Sequence, residues 1–373
     1  MPTDNAGFRF GIEHEVAFVD RHHQFADFTC TRFDDFQQIV DMLPAYADDE
    51  MQLRVGDAGI KSKRWYVEGY ERFADSPRPV DCVPKGIEIR TTIHRSIAGA
   101  VAELGDSLAL LRKAAATSGF ATVGVSFNPF QTTFEPKPAL NDYELARRAA
   151  SPEEQTAEIP MLTYGPDLNL SHTGFGTREL VDAARKLTAY SPYLVPFSFG
   201  SPFYGGGLWD GLSPRTFMRT GPRPAALAFV ADASAVVSVT PSLTKVARLP
   251  AEIGRIEFKA FDSCLEPADY APLLALLKGV LLDDDLVARA EVPDRTLHQR
   301  AARRGFDDAE IARGARTVLH AADGALRDDP DHELLGPLWT CLARRRTPAH
   351  EMIERFRTVG ALDLLLRQLA VMS

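Results

Sequence analysis

The chain has 373 residues, 45% hydrophobic and 25% charged, an ordinary globular composition with enough length to bury a large core. Its formal net charge of -9 argues against a general binder of nucleic acid or anionic membranes, since neither gains from meeting an acidic surface. Cys30, Cys82, Cys264 and Cys341 are scattered and form no C-x-x-C pair, which gives little support to a zinc site or a disulfide framework and fits a reducing cytoplasm.

The opening "MPTDNAGFRF" lacks the basic, apolar and small-residue sections of a secretory leader. The next stretch, "FRFGIEHEVAFVD", reads as a strand. At a period of two, Phe8, Phe10, Ile12, His14, Val16 and Phe18 share one face, and Arg9, Gly11, Glu13, Glu15, Ala17 and Val19 share the other. The first face reads as core. The second points two carboxylates the same way, roughly 7 Å apart on a strand rising about 3.3 Å per residue. A single E-x-E is better explained as the acidic outer face of a half-exposed strand; further carboxylates on similar strands reverse that reading.

Up to about residue 95 the pattern is strand-rich, with one helix in "DDFQQIVDMLPAY", where Phe36, Ile39, Val40 and Leu43 recur at helical spacing. Residues 96–118 form a helix that Ser96 caps. A strand follows in "FATVGVSFNPF". Residues 131–166, rich in proline and charge, read as a long excursion with a short helix near 141–150. The strand "DLNLSHTGFG", the helix "TRELVDAARKLTAYSPYL", the irregular "FGSPFYGGGLWDGLSPRTFMRTGPRP" and the strand "GRIEFKAFDSC" come next. From 265 onward the sequence is helical, in segments at about 268–290, 294–303, 307–324, 331–344 and 348–371. The most apolar run, "LLALLKGVLL", is too short to span a bilayer and contains Lys278. Without repeats, low-complexity tracts or an interdomain linker, the pattern predicts an α+β fold in one unit over 1–373 with a helical part from about 265.

The acidic strand recurs. In "PKGIEIRTTIH", Ile87 and Ile89 face one way and Glu88, Arg90 and Thr92 the other; in "GRIEFKAFD", Ile256, Phe258 and Ala260 oppose Glu257 and Lys259. Between them "LSHTGFG" offers His172 as a nitrogen ligand. Alone, His172 reads as a core or loop histidine, Arg215 and Arg219 read equally well as surface charge or as ligand-binding groups, and Gly205 to Gly207 match no phosphate-loop spacing. Jointly, carboxylates and an imidazole on four strands would repel unless cations neutralised them. Oxygen donors suit Mg²⁺ or Mn²⁺ better than zinc, and Mg²⁺ commonly accompanies a phosphate-bearing substrate. Arg90, Arg215, Arg219 and Lys259 would then clamp phosphate or a substrate carboxylate. The sequence contains no P-loop, so a nucleotide would be held through metal.

The ordered set "GIEHE", "KGIEIRT", "SHTGFG", "FSFGSPF", "LSPRTFMRTGP" and "RIEFKAFD", with "TPAHEMIERF" near the C-terminus, resembles the glutamate-cysteine ligases and the wider carboxylate-amine ligases of plant-like and actinobacterial type. The resemblance runs from residue 8 to about 357. It implies a curved, mainly antiparallel half-barrel sheet backed by helices, the glutamine synthetase/guanido kinase-like fold. Further, it implies metal roles for Glu13, Glu15, Glu88 and Glu257 with His172, and contact of Arg215 with the acyl substrate or phosphates. Arg90 and Lys259 join Arg215 as candidate catalytic groups, and Lys61 and Arg219 join it as candidate ATP-binding groups; Glu68 is a candidate further ligand. The implied activity uses ATP and Mg²⁺ or Mn²⁺ to activate the γ-carboxylate of glutamate and join it to an amine, cysteine in the archetype. Gly200 stands where the family has Asn before S-P-F, and Lys259 where Arg is common. These departures keep open a ligase for another amine or carboxylate. A binding protein without catalysis on the same fold is the rival of another class.

Overall fold

A computed structural model of the chain describes residues 7–53, 61 and 63–372. The first six residues, read above for a leader, and most of "GDAGIKSKRW" ahead of the second motif lie outside them. The strands among the described residues are, in chain order, β1 Phe8–Asp20, β2 Phe25–Ala26, β3 Trp65–Phe73, β4 Pro79–Arg90, β5 Phe120–Val123, β6 Pro166–His172, β7 Phe203–Tyr204, β8 Gly207–Leu208, β9 Ala226–Val230, β10 Thr244–Val246 and β11 Ile256–Phe258. The main sheet has the order β10-β9-β11-β6-β1-β4-β3, with β2 and β5 paired to the far end of β1. It curls into a half-barrel, antiparallel throughout except for β9 and β10. The three strands whose acidic pattern repeats in the sequence and the strand that carries His172 lie side by side in the order β11-β6-β1-β4.

Alternation sorts the sheet into two faces. Phe8, Phe10, Ile12 and Val16 of β1, Ile87 and Ile89 of β4, Leu168 and Leu170 of β6, and Ile256 and Phe258 of β11 are buried in one core. Helices Phe33–Asp41, Ile97–Thr117 and Thr177–Leu194 cover that face. His14 shares it, with Nδ1 2.8 Å from the Tyr270 hydroxyl, and burial lowers its pKa to about 4. Beyond Val16 the other face of β1 is covered too: Ala17 and Val19 pack with Val123, Leu365 and Leu366.

Ser96 caps its helix as expected, accepting from the Gly99 N–H at 3.2 Å. The apolar helix Tyr270–Leu282 stops short of the predicted 290. Three successive aspartates meet the negative end of the helix there, and the Asp283 carboxylate instead accepts from the Leu286 N–H at 2.8 Å. The predicted 348–371 helix is two, Pro348–Val359 and Leu362–Met372, divided at Gly360 with φ +80°. The stretch read as irregular contains the β7–β8 hairpin and the helix Pro214–Arg219, capped by Ser213. Among the described residues, no helix is long and apolar enough to cross a membrane.

Candidate active site

Register decides which polar groups meet. Glu13 on β1 lies directly opposite Arg90 on β4 and Asp167 on β6, and Glu15 lies opposite Glu88. Glu88 in turn faces Tyr66 on β3, and Glu257 on β11 faces Asn169 on β6. Directly opposed residues share a sheet face, so these side chains converge on the concave side, where they line a cleft of about 350 Å³. Two carboxylate triads result, Glu13–Asp167–Glu257 and Glu15–Glu68–Glu88. In each, one oxygen from every member lies within 4.8 Å of the others.

Basic side chains run between the carboxylates. Arg90 Nε lies 3.2 Å from Glu13 Oε2 and 3.3 Å from Glu88 Oε1, and its Nη2 donates to the Tyr66 hydroxyl at 2.6 Å. Arg255 Nη1 donates to Glu13 at 3.0 Å while its guanidinium stacks 4.1 Å over the Phe229 ring. Lys259 Nζ bonds Asp167 and lies 3.0 Å from Glu257. Buried Lys85 donates at 2.7 Å to Glu15 and to the carbonyls of Pro160 and Thr163, and the Gly165 N–H donates to the other Glu15 oxygen at 2.8 Å.

Burial and charge pull these groups apart. For Glu13, burial acts upward, but Arg90, Arg255 and Lys259 outweigh it and hold its pKa well below the ordinary carboxylate range. For Glu88, burial together with the charges of Glu68 and Glu13 overcomes Arg90 and pushes its pKa well above that range. Burial likewise raises Asp167 to about 6 against the pull of Lys259. Crowded oxygen donors of this kind have the chemistry of a Mg²⁺ or Mn²⁺ site.

Three further arginines line the cleft. Arg215 donates to the carbonyls of Ala260 at 3.2 Å and Lys259 at 3.0 Å, Arg219 to that of Pro224 at 2.9 Å, and Arg223 to that of Glu153 at 2.9 Å. No ion pair to a carboxylate holds any of the three among the described residues. Burial, then the neighbouring charges of Arg215 and Arg223, pushes the Arg219 pKa well below its usual value. Gly165 makes room for Arg215, because a Cβ there would lie 2.1 Å from its Nη2. Lys61 is at the rim, 4.5 Å over the Tyr66 ring.

The cleft thus brings together Glu13, Glu15, Glu68, Glu88, Glu257, Arg90, Arg215, Arg219, Lys61 and Lys259. It does not include His172. On β6 that residue has the parity of Leu168 and Leu170 and lies opposite Phe8, its ring 4.7 Å from Phe8 and 5.0 Å from Phe175, with Nδ1 accepting from the Gly174 N–H at 3.0 Å. The cleft-facing positions of β6 are Asp167, Asn169 and Ser171. Sequence reading passed over the first two although the polar alternation in "DLNLSH" marks them, and it also missed Lys85, Arg223 and Arg255.

No protein-family model and no curated protein matches the sequence. Solved structures match in fold. A bifunctional glutathione synthetase from Pasteurella multocida aligns with 99% of this chain at TM-score 0.62 and 12% identity; the chain spans 52% of that protein's length. Glutamate–cysteine ligase from Francisella tularensis, solved with AMP, aligns with 98% of this chain and 89% of its own at TM-score 0.56 and 11% identity. The ligase PafA, solved with the prokaryotic ubiquitin-like protein Pup, aligns with 99% of this chain and 72% of its own at TM-score 0.54 and 12% identity. The half-barrel sheet and its helices are therefore the fold that these carboxylate-amine ligases share.

Proposed function

We propose that the chain is an ATP-dependent carboxylate-amine ligase that activates the γ-carboxylate of glutamate and joins it to cysteine, acting as one catalytic unit in a reducing compartment. The observation that carries this reading is the cleft itself: six carboxylates on one face of a ligase-type sheet, in one cleft with three arginines that have no carboxylate partner among the described residues.

In this scheme the glutamate γ-carboxylate attacks the γ-phosphoryl group of ATP in line, ADP leaves, and an acyl phosphate forms. The amine then attacks the acyl carbon, inorganic phosphate leaves, and the amine loses a proton, giving γ-glutamylcysteine. Divalent metal, when bound, would neutralise phosphate charge, and Glu13, Glu15, Glu68, Glu88 and Glu257 have the donor chemistry to hold it. Arg215 and Arg219 would orient the carboxylate and the transferring phosphate, and Arg90 would fix Glu13 and Glu88. No nucleophilic side chain is required.

One observation favours a variant of this reading. Lys259 is engaged by Asp167 and Glu257, so its substrate contacts differ from those that an arginine at that position would make, and an amine other than cysteine is the alternative. Phosphate release from ATP with Mg²⁺, glutamate and a panel of amines tests both. Release that requires cysteine supports the first reading, and release with another amine supports the second. Silence with every pair contradicts glutamate as the donor.

A further inference from the structure

The chain's own cations treat the two triads differently. In Glu13–Asp167–Glu257, the Lys259 ammonium bonds Asp167 and lies 3.0 Å from Glu257. The Arg255 guanidinium reaches Glu13 at 3.0 Å and Glu257 at 3.4 Å. Every member touches one of the two, and Glu257 touches both. In Glu15–Glu68–Glu88 the pattern is absent. Lys85 holds Glu15 alone, the other carboxylate contact of Arg90 beside Glu88 is Glu13, and no ion pair holds Glu68 among the described residues. Among the described residues, no basic side chain there bridges two members.

A divalent ion neutralises clustered carboxylates by bridging their oxygens. A buried ammonium between two carboxylates does the same electrostatic work and repels a second cation from the same place. Lys259 is also fixed at its root: its backbone N–H donates to the Ala225 carbonyl at 2.8 Å and its own carbonyl accepts from Arg215 at 3.0 Å. The sheet therefore aims the ammonium at the triad.

We propose that Lys259, helped by Arg255, is the built-in cation of the Glu13–Asp167–Glu257 triad, so that this triad takes no metal and Glu15–Glu68–Glu88 takes the divalent ion. The proposal rests on the metal-dependent reading above and narrows it: one positive charge in the cleft is permanent and indifferent to metal concentration.

Mn²⁺ alone is the probe, titrated into the full chain without nucleotide, with free Mn²⁺ counted by electron paramagnetic resonance. The wild-type chain should bind one Mn²⁺, and Glu68→Gln should weaken it at least tenfold. Lys259→Met should bind two, and Lys259→Met/Asp167→Asn one again. Lys259→Arg, which keeps the charge, should stay at one. Two ions in the wild type or in Lys259→Arg, one ion in a folded Lys259→Met, or an unmoved affinity in Glu68→Gln would each overturn the proposal. The wild-type and Lys259→Arg counts decide even if Lys259→Met does not fold. A chain that makes amide from ATP yet binds two ions overturns this inference alone; one that binds no Mn²⁺ overturns the metal reading as well.

Discussion

Glu15 is held by two donors, the Lys85 ammonium at 2.7 Å and the Gly165 N–H at 2.8 Å, which fix its direction before any ligand arrives. Glu15→Gln keeps the shape and removes the charge, so turnover should fall by about 100-fold or more with the circular dichroism spectrum unchanged; retention of a tenth of the activity would contradict the role. Gly165→Ala acts on Arg215. Its Cβ would meet Arg215 Nη2 at 2.1 Å, the guanidinium must move, and kcat/KM should fall by about 100-fold while the melting temperature shifts little. At this scale the sequence was informative where alternation was clean: Glu13, Glu15, Glu88 and Glu257 all sit on the predicted face. His172 was singled out for its chemistry although its parity put it with Leu168 and Leu170, while Asp167 and Asn169 held the cleft positions. Lys85 and Arg255 were missed for a different reason. Long side chains reach across strands, and their targets depend on registers that composition does not state.

Elements show the same division between local and distant causes. The helix Ile97–Thr117 was legible from its cap and apolar content, whereas β9, "ALAFV", is buried along its whole length and shows no alternation to mark it. Lys278 interrupts the apolar helix Tyr270–Leu282 because its ammonium meets Asp329 and Asp331, each at 2.7 Å. Lys278→Met would strand the fully buried Asp329 carboxylate, and urea unfolding should show a loss of about 3–5 kcal/mol. Near the excursion, Asn141 caps the helix Asp142–Ala150, and Glu144 of that helix accepts from Arg72 at 2.7 and 2.9 Å. The Arg72 bond is the main reason that the Glu144 pKa falls from 4.5 to about 2. A depressed carboxylate pKa stabilises the folded state fully above the unfolded value and loses that effect as pH falls through the folded one. Glu144→Gln should therefore flatten the stability profile between pH 2 and 4.5; a profile as steep as that of the wild type would contradict the pairing.

Across the whole molecule, the cleft is assembled from strands far apart in the chain: the Glu13–Arg255 pair closes a separation of 242 residues. Which strands neighbour one another is set by crossovers and by the helices packed behind the sheet, so the order β11-β6-β1-β4 could not be read from local patterns, although the acidic alternation of β1, β4 and β11 pointed to one shared face. The resemblance supplied the curved sheet, and the fold agrees with it. What the fold leaves to experiment is the chemistry. Glutamate labelled with ¹⁸O in its γ-carboxylate, turned over with ATP, Mg²⁺ and the accepted amine, tests that chemistry most directly. Transfer through an acyl phosphate predicts one ¹⁸O atom in each phosphate released and none in the ADP; phosphate whose new oxygen comes from water would contradict the ligase reading.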